Sequence, residues 1–173
     1  MDQIKVKISD NPIVKKTWFN EDGQFKLTKR EGDMGYDIYT IEQDIVILGP
    51  GQLHSFHTGI SLEPSKFHYF FKERGSTGIK RMSIRAGVMD NNYRGELVVL
   101  INNTSNKPII IGPDAKLNEL DRNCSDANDV TYYGTSKGIC QMTLHSMIHL
   151  PTIITNHLEE TDRGGGRLGS TNK

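Results

Sequence analysis

Arg85-Ala86-Gly87-Val88-Met89-Asp90-Asn91-Asn92-Tyr93-Arg94-Gly95-Glu96 runs directly into Leu97-Val98-Val99-Leu100-Ile101-Asn102-Asn103. The second half is a short apolar, β-branched run bounded by polar residues, the signature of a buried strand. Asp90-Asn91-Asn92 supplies turn chemistry just before it, and Gly87 and Gly95 allow close backbone approach. A carboxylate and an aromatic ring are therefore expected at the mouth of a hairpin whose far arm is anchored in a core. Loops fixed on rigid strands are common carriers of chemistry. Taken alone, Asp-Asn-Asn reads as an ordinary turn with a solvated Asp; the wider pattern changes that.

Working outward, the same punctuation recurs. Ile4 to Ile8 alternates and predicts an edge strand. Asn11 to Arg30 reads as irregular, with Trp18 and Phe19 exposed. Strands are expected at Gly35–Thr40, at Asp44–Leu48 before Gly49-Pro50-Gly51, at Leu53–Leu62 with a bulge at Gly59, and at Phe67–Phe71. Ile79–Ile84 leads into the opening hairpin, and Lys107–Ile111 and Ile139–Met147 follow it. Ile153–Leu158 is expected to pair weakly. Asp114–Ser136 is polar and too long for an ordinary connection, so it reads as an inserted loop with one or two helical turns at Asp114–Leu120. From Asp162 the chain is a Gly-rich arm. Short, evenly spaced strands without a long helix predict an all-β domain, a sandwich or distorted jelly roll, over 1–161, with an arm at 162–173.

Length and composition bound the function. At 173 residues the chain is one domain with a sizeable core. Lys+Arg and Asp+Glu are both 21, a balance that argues against a nucleic-acid footprint but leaves space for a locally basic pocket. No run approaches the ~18 apolar residues of a membrane span. The start lacks a secretion signal, and Cys124 and Cys140 make no metal or disulfide framework. Free thiols in a cytoplasmic compartment, bacterial or host, fit this usage.

Five separated stretches carry a further pattern. They are Met34-Gly35-Tyr36-Asp37-Ile38-Tyr39; Glu73-Arg74-Gly75-Ser76-Thr77-Gly78; the opening stretch; Gly138-Ile139-Cys140-Gln141-Met142; and Asp162-Arg163-Gly164-Gly165-Gly166-Arg167-Leu168-Gly169-Ser170-Thr171. In this order they resemble the five motifs of the trimeric dUTP pyrophosphatases (dUTPases). The departures are Glu73 for a Pro, Gly75 for a Ser, Lys137-Gly138 for Asp-Arg, Leu168 for the Phe that stacks on uracil, and Asn172 for a final Gly.

The resemblance implies a β-clip form of the distorted jelly roll and hydrolysis of dUTP to dUMP and pyrophosphate. Asp90 would be the general base that activates water for attack on the α-phosphorus. Arg74, Gly75, Ser76, Gln141, Arg163, Gly169, Ser170 and Thr171 would hold the phosphates; forks, hydroxyls and Gly-rich backbone suit anions. The backbone of Ile84, Arg85, Ala86, Gly87 and Val88 would read the uracil edge, Leu168 would stand at the stacking position, and Tyr93 would lie against the deoxyribose and exclude a 2′-hydroxyl. Asp37 would be structural, orienting its neighbours. Mg²⁺ would be held by phosphate oxygens and water, with no direct protein ligand. The assembly implied is a homotrimer with sites at subunit boundaries, and neither nucleic acid nor membrane is a partner.

Two alternatives stand beside this one. A dCTP deaminase shares the fold, but it needs a Glu near Leu100, where this chain is apolar. A regulatory role, binding a repressor protein through 114–136, is compatible with catalysis.

Overall fold

The chain begins by alternating: β1 (Lys5–Ile8) turns Lys5 and Lys7 outward and packs Val6 and Ile8 against the core. In the computed structural model, residues 2–123 and 129–165 are described. After β1 come α1 (Pro12–Trp18), β2 (Gly35–Ile38), β3 (Val46–Leu48), β4 (Leu53–His57) and β5 (Ile60–Glu63). Then follow β6 (Phe67–Lys72), α2 (Gly75–Ile79), β7 (Met82–Arg85), β8 (Val88–Met89), β9 (Val98–Asn103) and β10 (Ile109–Gly112). The last elements are α3 (Asp114–Asn123), β11 (Thr131–Gly134) and β12 (Cys140–Ser146).

The strands form small sheets: β1-β5, β11-β10-β3, β2-β12-β6-β8 and β4-β9-β7. All pairings but one are antiparallel, and one continuous apolar cluster, including Trp18, Phe56, Tyr69, Ile101, Ile111 and Met142, joins them. The all-β distorted jelly roll expected from the strand spacing is the architecture observed. The opening stretch is more than a plain hairpin. β7 and β9 pair, with Ile84 opposite Ile101, but between them β8 crosses to a different sheet and pairs with β6. The Asp90 loop is thus braced by two sheets.

Residues 11–30, expected to be irregular, begin with a helix. Asn11 Oδ1 accepts from the Ile13 amide at 2.9 Å and Pro12 occupies the first turn, a paired start signal. Trp18, expected to be exposed, is fully buried, and its indole N–H donates to the Thr58 carbonyl at 2.7 Å. A polar tip that finds a buried acceptor lets a large ring enter the core.

The strand expected over Leu53–Leu62 is two strands in two sheets. Gly59, at φ +71°, breaks it, and its missing Cβ makes space for Val14 of α1. The amides left unpaired at the break, those of Thr58 and Gly59, donate to Glu96 Oε1 at 3.2 and 2.8 Å. Gly59→Ala combines left-handed strain with a collision against Val14. It should cost roughly 3 kcal/mol of stability in urea unfolding, the sum of a backbone and an overpacking penalty.

Residues 114–136, read as an inserted loop, contain α3 and β11. β11 pairs parallel to β10, and a parallel neighbour requires a crossover, which α3 supplies. Asp114 at the helix start accepts from the Ser136 amide at 3.1 Å and closes the segment on itself. Ile153–Leu158, expected to pair weakly, joins no strand and stays exposed.

Candidate functional site

The second motif, read as a Gly-rich turn, forms the short helix α2. Arg74 is its N-cap residue, and its amide donates to Thr77 Oγ1 at 2.9 Å. Opposite, β2 presents Asp37. Arg74 Nε donates to Asp37 Oδ1 at 2.7 Å and Nη2 to Oδ2 at 2.9 Å, a bidentate fork that fixes the guanidinium plane. Arg74 Nη1 donates to the Gly138 carbonyl at 3.0 Å, beside Tyr133, whose hydroxyl donates to the same oxygen at 2.6 Å. Burial works against the Arg74 charge, but the Tyr133 hydroxyl and Asp37 more than offset it and raise the guanidinium above its ordinary value. Most of the fork faces Asp37 rather than the cleft. Arg74 therefore offers an anion fewer free N–H groups than its motif suggests.

On β12, next to β2 and β6, Gln141 lies in register with Asp37 and Lys72. Its amide donates to the Glu73 carbonyl at 2.9 Å, leaving the second amide hydrogen. Gly35 lets this side chain lie close, since a Cβ there would meet Gln141 Oε1 at 2.9 Å and shift the amide. Asp37, Arg74, Gly75, Ser76 and Gln141 line one cleft of about 810 Å³. Its far wall comes from residues 20–33, which sequence reasoning did not assign to a site, together with Met34 and Gly35 of the first motif.

Glu73 stands where a Pro was expected. Its carboxylate accepts from the Ile84 amide at 2.8 Å and the Ser83 hydroxyl at 3.4 Å. Burial pushes this carboxyl up, but those donors hold it below the usual carboxylate range. The Ile84 N–H, assigned above to the uracil edge, is thereby committed within the chain. The Gly87 carbonyl accepts from the Phe71 amide at 2.7 Å, and a Cβ on Gly87 would sit 2.6 Å from Phe71 O. Ala86 holds φ +50°, which turns the backbone between β7 and β8. Arg85, Ala86 and Val88 are exposed.

The Asp90 loop is pinned from below. Asn91 Nδ2 donates to the Ser65 and Phe67 carbonyls at 2.7 and 2.9 Å, and Arg94 donates to the Tyr93 carbonyl at 2.9 Å. Tyr93, 44% exposed, donates its hydroxyl to the Glu96 carbonyl at 3.0 Å. Burial raises the Glu96 carboxyl, but the Gly59 amide, His57 at 3.1 Å and the Thr58 amide bring it below its ordinary value. Nearby, the buried Tyr69 phenol, without a hydrogen-bond partner among the described residues, is pushed up to about 12 by burial. Asp90 and Tyr93 line their own smaller cleft with Val88, Met89, Glu96 and Val98. That cleft shares no lining residue with the Arg74 cleft.

Arg163 is exposed beyond the last strand. Leu168, Gly169, Ser170 and Thr171 lie outside the described residues. Cys140 is fully buried and its thiol is pushed well up by that burial, so it is an inert core residue.

Fold and clefts define an all-β protein with a cleft whose lining carries Lys26, Lys29, Arg30 and Arg74 against Asp33 and Asp37. The chain belongs to the dUTPase family, whose model matches residues 22–120. It is 32% identical over 143 residues to the deoxyuridine 5′-triphosphate nucleotidohydrolase of Paramecium bursaria Chlorella virus 1, covering 82% of this chain and 84% of that one. It is 28% identical to the enzyme of the same name from Clostridioides difficile, covering 88% and 92%. Among solved structures it is similar to the G164S mutant of the Staphylococcus bacteriophage 80alpha dUTPase with dUpNHpp, with a TM-score of 0.65, 16% identity and 98% of both chains covered. It is also similar to the dUTPase of S. aureus phage phi11, with a TM-score of 0.60, 16% identity, and 92% and 100% covered.

Proposed function

We propose that this chain is a dUTP nucleotidohydrolase that converts dUTP and water to dUMP and pyrophosphate, lowering dUTP and supplying dUMP for thymidylate synthesis. The observation that carries the reading is the cleft in which the Asp37–Arg74 fork, Ser76 and Gln141 meet, in a chain of this family. Arg74, Ser76, the backbone at Gly75 and the free hydrogen of Gln141 hold phosphate oxygens. Asp37 positions Arg74. Asp90 takes the proton from water as it attacks the α-phosphorus. The backbone of residues 84–88, less the Ile84 amide, faces the uracil, and Tyr93 the deoxyribose. Arg163, Leu168, Gly169, Ser170 and Thr171 close over the nucleotide from the arm.

The working unit is a homotrimer in which the Asp90 loop of one chain completes the Arg74 cleft of another. The separateness of the two clefts supports this. So does the exposed apolar run after β12, including Ile148, Leu150, Ile153 and Ile154, which asks for a covering surface.

Mg²⁺ is the cofactor. A solved structure of a mutant phi11 phage dUTPase concerns the coordination of a structural Mg(II) ion. Asp37 gives both oxygens to Arg74, and among the described residues no three His, Cys, Asp or Glu side chains converge, a donor set that suits an ion held by phosphate oxygens and water. When bound, the ion withdraws charge from those oxygens.

Incubation with dUTP, dCTP and UTP plus Mg²⁺, with products separated by chromatography, tests the reading. dUMP and pyrophosphate should form from dUTP alone, and ammonia released from dCTP would move the chain to deamination. Tyr93→Ala should raise UTP turnover relative to dUTP by roughly 10- to 100-fold, the scale of a steric discrimination removed. An unchanged ratio would remove the sugar role of Tyr93.

A further inference from the structure

Resting on that reading, we infer that Lys26 and Lys29, on the strap of residues 24–34 that forms the far wall of the cleft, bind the pyrophosphoryl end of the nucleotide. The cleft lining carries four cationic side chains, Lys26, Lys29, Arg30 and Arg74, against two carboxylates, Asp33 and Asp37. Asp37 is consumed by Arg74. The surplus positive charge lies on the strap.

The two ammonium groups are held without being neutralised. Lys26 Nζ lies 5.2 Å from the Tyr39 ring centroid and Lys29 Nζ lies 5.4 Å from that of Tyr36. Tyr36 lies in β2, which carries Asp37, and Tyr39 follows directly after that strand and lines the cleft with Asp37 and Arg74. A cation on an aromatic face is positioned yet keeps its charge for a ligand. Lys29 Nζ also donates to the Asp33 carbonyl at 2.8 Å, and among the described residues neither lysine forms an ion pair with a carboxylate. The strap itself is fixed. The Lys26 amide donates to the Trp18 carbonyl at 2.8 Å, Leu27 is buried, and Asp33 closes a turn with its amide to the Arg30 carbonyl at 3.1 Å and Oδ2 accepting from the Arg30 amide at 3.2 Å.

Arg74 has spent most of its donors within the chain, so it cannot alone match a triphosphate. The strap supplies the missing charge on the side of the cleft away from α2. Cations there stabilise charge that grows on pyrophosphate as it leaves, and they favour a triphosphate over a monophosphate.

The test is the full-length double variant Lys26→Met/Lys29→Met, which keeps the side-chain stems over the rings. Calorimetry with inorganic tripolyphosphate should show affinity reduced roughly 10- to 100-fold, as expected when charge-assisted contacts are lost. Binding of dUMP should stay the same, and KM for dUTP should rise. Wild-type tripolyphosphate affinity in the folded double variant overturns the inference. The single variant Lys29→Met, at an exposed position, gives the same readout with a smaller change if the double variant fails to fold. If the wild-type chain does not hydrolyse dUTP, the function falls while the tripolyphosphate measurement still decides the strap.

Discussion

Asp90→Asn should leave dUTP binding nearly intact and lower its hydrolysis by roughly 10²- to 10⁴-fold, the range lost with a general base. The substitution preserves size and hydrogen-bonding reach but removes the capacity to take a proton from water. The loop should not notice it. Its shape is set by the Asn91 amide on the Ser65 and Phe67 carbonyls, by the Tyr93 amide on the Asp90 backbone carbonyl at 3.1 Å, and by Arg94 on backbone oxygens. No hydrogen bond or ion pair among the described residues engages the Asp90 carboxylate, and the residue is exposed. Steady-state turnover together with calorimetric binding of a nonhydrolysable dUTP analogue separates the two effects. Turnover retained at wild-type levels would remove Asp90 from its assigned role. Affinity lost in parallel with turnover would make it a binding group instead.

What could be read from residues alone divides along a physical line. Strands announce themselves locally. The alternation of Lys5–Ile8 puts apolar side chains on one face of a pleat, the runs Phe67–Phe71 and Leu97–Ile101 put them on both, and each marks a strand in the fold. Helix α1 was also locally written, in Asn11-Pro12, but an apolar pattern of only seven residues gives too little periodicity to outweigh the polar surroundings. The burial of Trp18 was not legible, because it depends on the Thr58 carbonyl, 40 positions away.

The same holds for the carboxylates. Glu96 caps a strand break at Gly59 and Glu73 accepts from the Ile84 amide within β7, pairings between segments that nothing in either segment reveals. The segment 114–136 misled for a different reason. Its polarity is real, since Asp114, Ala115, Lys116, Asn118 and Glu119 of α3 are exposed, but Leu117 and Tyr133 are buried and β11 pairs with β10. Deleting 114–136 would therefore remove the Tyr133 hydroxyl that meets Arg74 and the Gly138 carbonyl, and so could not test partner binding separately from catalysis. Surface substitutions on α3 are the cleaner probe.

Arg74→Lys should reduce kcat/KM for dUTP by roughly a hundredfold, although charge is conserved, because a lysine is a point charge without the planar fork. In the native chain one guanidinium spans Asp37, the Gly138 carbonyl and the cleft, and also approaches Ser76 Oγ at 3.4 Å. An ammonium can reach Asp37 or the cleft, not both. The stability cost should be small, about 1 kcal/mol, since the Asp37 and Arg74 side chains keep 36% and 26% exposure and water screens the pair. Activity should thus fall far more than thermal stability. Asp37→Asn should act through the same fork: with Arg74 intact but no longer held in plane, KM should rise, and combining the two substitutions should cost less than the sum of each alone. Strict additivity would mean that Asp37 does not work through Arg74. A kcat/KM within threefold of wild type in Arg74→Lys would mean that the phosphates are carried elsewhere, and the strap lysines would then be the first groups to ask.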